Sequence, residues 1–254
     1  ASYDALFIRD HWPEITSIPW WCKFSGHVDR EVAWASDYAA RTGLEWLAVG
    51  PCPSRARRAR QKYRQRSDDV WLVDSDTGEE IRLEPPASGG VNTHCATSIP
   101  SNLDSLPGTE RDVDDLIPLT EPFDSKAFRD DGKNDSAAAI AQSFNLLIYS
   151  HVSSPVWSFY GLMGYEGMML FLGRDSRLAS YAGRRLLHNV RQKILMIAAL
   201  GARAVWIEEC LTDQISPDLF TRVNVPLLRE CVEMIRAHRS EERRVGKECR
   251  SRWS

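Results

Sequence analysis

The sequence lacks several features that would assign a function class at once. No apolar run reaches the roughly 18 residues that a membrane-spanning helix requires, and no signal peptide is recognisable. The six cysteines are scattered without a Cys-x-x-Cys pair, which favours a reduced, cytoplasmic protein. No glycine-rich dinucleotide or phosphate-binding motif is present, and no segment repeats. We therefore expect no membrane partner.

An excess of charge of one sign is also missing. The chain has 32 Lys and Arg against 35 Asp and Glu, so its net charge of −3 favours neither nucleic acid nor anionic lipid as a partner. Residues 54–66 (SRARRARQKYRQR) are densely cationic but contain one aromatic residue, Tyr63. We interpret this segment as a solvated loop or helix face, partly balanced by Asp68 and Asp69. A clamp for an acidic substrate is the alternative.

The order of predicted elements indicates an α/β protein. Residues 15–21 (ITSIPWW) and 44–49 (LEWLAV) have the composition of strands, and a helix from Asp29 to Arg41, closed by Gly43, lies between them. This arrangement is typical of a βαβ unit. With 254 residues, 43% of them hydrophobic, the chain has the size of one α/β barrel of roughly 250 residues.

The rest of the chain continues the alternation of strands and helices. Residues 70–73 and 80–83 flank the turn sequence DSDTG, which predicts a β-hairpin excursion, and residues 85–107 form a long predicted loop. Further predicted elements are helices at 109–117, 136–144, 175–200 and 226–237, strands at 146–151 and 204–207, and a helix start at Ser216-Pro217.

The last sixteen residues differ from everything before them. Residues 239–254 (RSEERRVGKECRSRWS) are highly charged and have no apolar period. They resemble the conceptual translation of a sequencing adapter, so we expect a partial domain over residues 1–238 and a non-native tail over 239–254. A genuine basic tail is the alternative.

Two stretches resemble the uroporphyrinogen decarboxylase superfamily. In residues 201–238 (GARAVWIEECLTDQISPDLFTRVNVPLLRECVEMIRAH) a Gly-Ala precedes an apolar strand that ends in acids, and an ISPDLF helix start follows. Residues 153–178 (SSPVWSFYGLMGYEGMMLFLGRDSRL) match the family's Ser-Pro turn and Gly-x-Glu helix. The resemblance implies a (β/α)8 TIM barrel, here a fragment truncated after about five βα units.

Such a barrel implies a site where its parallel strands end. Active sites of these barrels lie at the carboxyl ends of the strands, and four predicted strand ends carry polar or aromatic side chains. Glu209 matches the family's strand-end acid, so we predict Glu209 and His151 as catalytic residues that exchange protons. The predicted substrate-binding residues are Trp21, Lys23, His27, Trp157, Tyr165, Glu208, Cys210 and Asp213. Lys23 and His27 are expected to meet an anionic group, and each of these residues taken alone is also compatible with a purely structural role.

The resemblance leaves two reactions open. Decarboxylation of the tetrapyrrole uroporphyrinogen, in porphyrin biosynthesis, would require arginines after the first strand and an Asp after the second. This chain instead has Lys23 and His27 at the first place, and Gly50, Pro51 and Cys52 at the second. We therefore favour methyl transfer to a small substrate, as in the corrinoid-linked methyltransferases of the superfamily.

Methyl transfer of this kind implies a zinc ion and a corrinoid protein as partner. The family's His-x-Cys zinc ligands would lie beyond His238, so no metal site or other cofactor is assigned to the residues before it. A barrel that binds a small molecule without catalysis is a third possibility. An unfinished barrel exposes strand edges and apolar faces, so we also expect poor solubility of the 254-residue chain.

Overall fold

The computed structural model describes residues 12–23, 25–67, 69–83, 103–210 and 214–238. The predicted tail, Asp213 and most of the predicted loop at 85–107 lie outside these residues. The described elements, in chain order, are α1 (Trp12–Ile15), α2 (Trp20–Lys23), α3 (Val28–Thr42), β1 (Trp46–Ala48), α4 (Arg55–Arg60), β2 (Gln61–Arg66), β3 (Asp69–Asp74), β4 (Glu80–Leu83), α5 (Glu110–Leu116), α6 (Ser125–Asp130), α7 (Asp135–Ser143), β5 (Leu147–Ser153), α8 (Pro155–Arg174), α9 (Ser176–Leu200), β6 (Ala204–Glu208), α10 (Pro217–Leu219) and α11 (Val225–Ala237).

A parallel sheet organises the fold, which confirms the predicted α/β class. Its order is β1-β5-β6, with β5 in the centre. Ala48 is paired with Tyr149, and Ser153 with Glu208, so the three strands run towards one edge of the sheet, which we call the carboxyl edge; β5 and β6 end there together, whereas β1 ends level with Tyr149, four residues before the end of β5. Among the described residues this sheet has three strands and does not close into a barrel.

A second sheet, β2-β3-β4, is antiparallel. Its β3–β4 hairpin is as predicted, and the preceding cationic segment is mostly exposed, as expected. Its first half forms the helix α4, but its second half forms an additional strand, β2, paired with β3 along its whole length. Asp69, one of the two predicted counter-charges, pairs with Arg82 instead, and Asp68 lies outside the described residues. Ion pairs join Arg55 and Arg58 to Asp135, Arg60 to Asp74 and Asp76, and Arg64 and Arg66 to Glu80.

The predicted first strand at residues 15–21 is wrong. Two short helices, α1 and α2, occupy this part of the chain. The backbone between them is held by a side chain rather than by a neighbouring strand: the Asp37 carboxylate accepts hydrogen bonds from Ser17 N at 2.6 Å and from the Thr16 hydroxyl at 2.7 Å. The Trp12 indole donates to Ile18 O at 2.8 Å. These contacts use backbone groups that a strand would need for its ladder.

One face of the parallel sheet packs against helices through two apolar clusters. Leu47 and Ile148 contact the cluster formed with α3 and α7, whereas Val152 belongs to a larger cluster with α8, α9 and α11. The strands deliver alternate residues to each face, so the residues between these point the other way. Burial on this single face fixes the register of the sheet.

The opposite face of the sheet, the open face, is aromatic. Trp46, Tyr149 and Trp206 lie side by side, with ring centroids 5.4 Å and 6.5 Å apart. Trp206 is 43% exposed, and Leu147 on the same face is 40% exposed. Exposed apolar surface of this kind agrees with the poor solubility expected from the sequence.

Capping residues define helix α9 where it was predicted. Asp175 accepts hydrogen bonds from the first turn of α9, and Gly201, with φ 80°, ends that helix. Helix α8 begins at Pro155 but is interrupted at Gly164, whose φ of 72° and ψ of 179° are not helical. None of the described helices is both long enough and apolar enough to cross a membrane.

The ion pair between Arg58 and Asp135 is expected to stabilise the fold at neutral pH. Arg58 Nη2 lies 2.5 Å from Asp135 Oδ2, and the Arg58 side chain is 11% exposed. Replacing Asp135 by Asn leaves this guanidinium without its counter-charge and should cost about 1–3 kcal/mol of unfolding free energy. Asp218→Asn, which removes an exposed partner of Arg222, is the control and should cost little.

The loss in Asp135→Asn should depend on pH. Partial burial raises the pKa of Asp135, but the hydrogen bonds from Arg55 and Arg58 outweigh it and leave the pKa lowered. A lowered folded-state pKa contributes stability above the ordinary Asp pKa of about 3.9, and that stability is lost as the pH falls through the folded value. Urea unfolding at a series of pH values should therefore show the two proteins converging in acid. A deficit that stays constant with pH would contradict this account.

Candidate functional site at the carboxyl edge

A buried polar cluster lies where β5 and β6 end. Glu209 follows the last residue of β6, and its Oε2 accepts a hydrogen bond of 3.0 Å from Asn224 Nδ2. Asn224 closes a π-helical segment, Phe220–Asn224, and is 0% exposed. The second carboxyl oxygen, Glu209 Oε1, is buried without a hydrogen-bond partner. We call Glu209, Asn224 and Ser154 the acid cluster.

Ser154 connects the ends of β5 and β6 in this cluster. It is 0% exposed and caps α8, its hydroxyl oxygen accepting a hydrogen bond of 2.9 Å from Trp157 N. Its backbone N donates to Glu208 O at 2.9 Å, which continues the pairing of the two strands by one residue. Ser154 therefore fixes both the start of α8 and the position of the chain that carries Glu209.

The environment of Glu209 disfavours its ionised form. Burial raises the pKa of Glu209. Hydrogen bonds from the Ser154 hydroxyl and the Asn224 amide lower it, but by less than burial raises it. Cys231 of α11 lies close by, and burial, with the charges of Glu230 and Glu209, raises the pKa of its thiol to about 12. A carboxyl group with a raised pKa can donate or accept a proton near neutral pH, as general acids and bases require.

A second cluster contains a cation between two aromatic rings. The Arg30 guanidinium carbon lies 4.7 Å from the centroid of the Trp21 ring and 4.8 Å from that of Tyr63. The Trp21 and Tyr63 rings are stacked at 5.5 Å, and the His27 ring meets Tyr63 edge-on at 5.3 Å. The Tyr63 hydroxyl donates to Ser25 O. We call Arg30, His27, Trp21 and Tyr63 the cation cluster.

The cation cluster has spare hydrogen-bonding capacity and a positive potential. Arg30 Nη1 and His27 Nε2 are buried without hydrogen-bond partners. Burial lowers the pKa of His27, and the charges of Arg30 and Arg58 lower it further. Burial also raises the pKa of Tyr63 to about 12, so its hydroxyl remains neutral. Two nitrogen atoms near a fixed positive charge suit a carboxylate or another anion.

The two clusters belong to the same edge of the sheet. The chain beyond β1 returns to the cation cluster at Pro53, and a Cβ on Gly26 would lie only 2.5 Å from Pro53 Cδ. The acid cluster follows β6, two strands away in the order β1-β5-β6. The last residue of β1, Ala48, is level with the first residue of β6, Ala204, because both are paired with Tyr149. The ends of β1 and β6 are therefore separated by about 10 Å laterally and by about 13 Å along the strands, a distance that an extended substrate with an anionic end can span.

His151 does not join the acid cluster. It lies inside β5, paired with Trp206, and is exposed on the open face of the sheet. Its neighbour Val152 is buried on the helix side, where the partners of Glu209 also lie. His151 and Glu209 are therefore on opposite faces, and the structure does not bring these two predicted catalytic residues together.

The other predicted binding residues are divided among several environments. Glu208 pairs with Ser153 and is partly exposed, and Cys210 is exposed. Lys23 Nζ lies 4.3 Å from the centroid of the Trp34 ring. Trp157 stacks on Tyr160 at 4.8 Å and, like Tyr165, packs against the larger apolar cluster.

A groove of about 440 Å³ lies beside the end of β5. Its walls come from α9 and from the segment before α6, including Phe123 and Met196, and Ser153 and Ser158 form part of its lining. The segment before α6 is held by α9 side chains, since Asn189 Oδ1 accepts from Thr120 N at 2.9 Å. Among the residues described, no group of three His, Cys, Asp or Glu side chains could hold a metal ion.

Comparisons add no relative from which a role could be inferred. No family model, no curated protein and no solved structure matches the chain.

Sequence reasoning missed Arg30, Asn224 and Ser154. Arg30 could have been noticed, because it lies three residues after His27 and so shares its side of a helix start. Asn224 and Ser154 carry no such signal. They are polar residues beside apolar ones, and only the packing of α8 and α11 on β6 buries them next to Glu209.

Proposed function

We propose that this chain is an enzyme that acts on a small anionic molecule at the carboxyl edge, with Glu209 as the group that exchanges a proton with the substrate. One observation carries the proposal. The Glu209 carboxyl group is buried after a parallel strand, has one oxygen without a hydrogen-bond partner and has a raised pKa. Parallel α/β sheets commonly place their active sites beyond the carboxyl ends of their strands.

The cation cluster supplies the binding part of the proposal. Arg30 Nη1 and His27 Nε2 would hold a carboxylate or a similar anion, while the Trp21 and Tyr63 rings keep the guanidinium in place. The reacting part of the substrate would then lie beside Glu209. Binding energy from the anionic end would orient the substrate for proton exchange.

Methyl transfer of the corrinoid-linked type is the reaction that we favour. It rests on the resemblance of residues 153–178 and 201–238 to the uroporphyrinogen decarboxylase superfamily, with its (β/α)8 barrel and its corrinoid protein partner. A zinc ion would supply activation of a thiol as thiolate. The described residues hold no zinc ligand set, and the predicted ligand position beyond His238 lies outside them. For this chain's own residues we propose that Glu209 accepts the proton that the thiol loses.

Decarboxylation of a tetrapyrrole such as uroporphyrinogen is the second candidate. The Arg30 guanidinium, with a buried Nη1 that lacks a partner, favours it, because a polyacidic substrate needs cationic contacts. Here Glu209 would donate the proton that replaces the lost carbon dioxide. Under either reaction we keep the partial barrel over residues 1–238 as the proposed domain.

Three assays on a full-length preparation of the protein separate the proposals. Methyl transfer from methylcobalamin to a small thiol, with zinc content measured on the same preparation, tests the first reaction. Release of carbon dioxide from uroporphyrinogen tests the second. Binding of these compounds with no product in either assay would leave a barrel that binds without catalysis and would overturn the enzyme proposal.

The pH profile should show which way the proton moves. If Glu209 accepts a proton from a thiol, kcat/KM rises as the pH passes through the Glu209 pKa, which burial places above the ordinary value of about 4.3. If Glu209 donates its proton, kcat/KM falls through the same pKa. We expect kcat/KM to rise with pH. If Glu209→Gln keeps every limb of the wild-type pH profile, both roles are contradicted.

A further inference from the structure

The hydrogen bond between Glu209 and Asn224 leaves one oxygen of each residue without a partner. Asn224 Nδ2 donates to Glu209 Oε2 at 3.0 Å, while Glu209 Oε1 and Asn224 Oδ1 are both buried and both lack a hydrogen-bond partner. Both remaining atoms are acceptors if the carboxyl group is ionised. The Ser154 hydroxyl can donate to the carboxyl group, but Asn224 Oδ1 has no donor among the described residues, and a buried acceptor without a donor costs free energy that water would otherwise recover.

A single proton on Glu209 removes this conflict. A neutral carboxylic acid and a primary amide can join through two parallel hydrogen bonds, the amide N–H donating to the acid carbonyl and the acid O–H donating to the amide oxygen. The first of these bonds is present. We propose that Glu209 and Asn224 form such a proton-carrying acid–amide pair, in which Asn224 is a positioning residue that holds the Glu209 proton on Oε1.

Among the described residues Glu209 has no counter-charge that would stabilise its ionised form: no lysine, arginine or histidine forms an ion pair with it, and no cation contributes to its pKa. The Ser154 hydroxyl faces it from the junction of β5 and α8, and the Cys231 thiol lies on the side of α11. The Ser154 hydroxyl and the Asn224 N–H both lower the pKa of Glu209, since a donor also binds the ionised form, but burial raises it by more. In the proposed pair it is the Asn224 oxygen that favours the protonated form.

The pair extends the proposed function. It supplies a reason why the pKa of a carboxyl group at this edge lies above its ordinary value, and the ionised fraction, which grows as the pH rises, is the form that accepts a proton in methyl transfer. In the pair Oε2 accepts from Asn224 Nδ2 and the proton on Oε1 is donated to Asn224 Oδ1, so proton exchange with a substrate at Oε1 requires this second hydrogen bond to open. The inference rests on the proposed role of Glu209 but can be measured without any substrate.

Infrared spectroscopy of the purified chain tests the pair directly. The carbonyl band of a protonated carboxyl group is assigned to Glu209 by its absence in Glu209→Gln. We expect that band in the wild type at neutral pH, at the low frequency of a carboxyl group with two hydrogen bonds. Asn224→Leu should shift the band to higher frequency. The control Asn134→Leu changes a helix N-cap whose side chain makes no capping hydrogen bond, and it should leave the band in place.

A stability measurement keeps the test usable if Asn224→Leu does not fold. Glutamine at position 209 can accept from Asn224 Nδ2 and donate to Asn224 Oδ1. The free energy of unfolding of Glu209→Gln at neutral pH should therefore be at least as large as that of the wild type. Glu209→Met, which offers neither bond, should be less stable than both. Equal stability of the Gln and Met variants would overturn the pair, as would an absent or unshifted infrared band.

The two proposals fail separately. A missing or unshifted band together with a large loss of turnover in Glu209→Gln would remove the acid–amide pair and leave the catalytic role of Glu209. A band that shifts in Asn224→Leu together with unchanged turnover in Glu209→Gln would leave the pair as a structural feature and remove the proposed catalysis.

Discussion

Replacing Glu209 by glutamine should lower kcat by about 10²–10⁴-fold, the usual contribution of a positioned general acid or base. Glutamine has the shape of glutamate and can keep the hydrogen bond of 3.0 Å from Asn224, but it cannot exchange a proton at neutral pH. The fold should therefore survive while proton exchange is lost. Turnover is measured in the methyl-transfer or the decarboxylation assay, whichever shows activity with the wild type.

The control for this experiment is Glu233→Gln. Glu233 lies on the exposed side of α11, the helix that follows the segment carrying Asn224. The substitution makes the same carboxyl-to-amide change on a neighbouring element and should leave kcat unchanged. If Glu209→Gln turns over as fast as Glu233→Gln, Glu209 is a structural carboxyl group and the proposed reaction site is wrong.

Replacing Gly26 by alanine should give the second large effect, a loss of about 2–5 kcal/mol in the free energy of unfolding. Gly26 has φ +68°, a conformation that costs other residues roughly 1–2 kcal/mol. A Cβ there would also lie 2.5 Å from Pro53 Cδ, and such overpacking adds about 1–3 kcal/mol. The contact joins the start of α3 to the chain beyond β1.

Gly43→Ala separates these two contributions. Gly43 also has φ +68°, but a Cβ there would meet no atom within 4 Å. It should therefore show the conformational cost alone, and the difference between the two variants in urea unfolding measures the contact with Pro53. Equal losses in both variants would show that the close approach of Gly26 to Pro53 does not exist in solution.

Gly26→Ala should also weaken substrate binding at the proposed site. His27 follows Gly26 directly, and its ring packs against Tyr63 at 5.3 Å. A shift of this turn moves His27 away from Arg30 and should raise KM for an anionic substrate more than it lowers kcat. The same measurement on Gly43→Ala, whose residue lies at the other end of α3, should show an unchanged KM.

Much of the fold could be predicted because the signals are local. Thr109 starts α5 with a capping box, and Asp175 and Gly201 define the two ends of α9. The apolar runs that became β5 and β6 were found within one or two residues, and so was the β3–β4 hairpin. Each of these signals acts over a few residues, within reach of the sequence alone.

The errors arose where a distant residue decided the local structure. Residues 15–21 have the composition of a strand, but Asp37, about twenty residues away, binds their backbone and hydroxyl groups instead. The second half of the cationic segment became strand β2 because β3 lies beside it and Glu80 pairs with its Arg64 and Arg66. Neither partner is visible from the composition of the segment itself.

For the site, the sequence determined that an acid, Glu209, follows an apolar strand, and that parallel strands bring such ends to one edge. Only the tertiary structure decided which side chains meet there. It turned His151 to the open face and buried Asn224 against Glu209, and it placed Arg30 between Trp21 and Tyr63. The physical reason is that caps and periodicity depend on neighbours within a turn or two. The partner of a buried polar group depends instead on how separate helices pack.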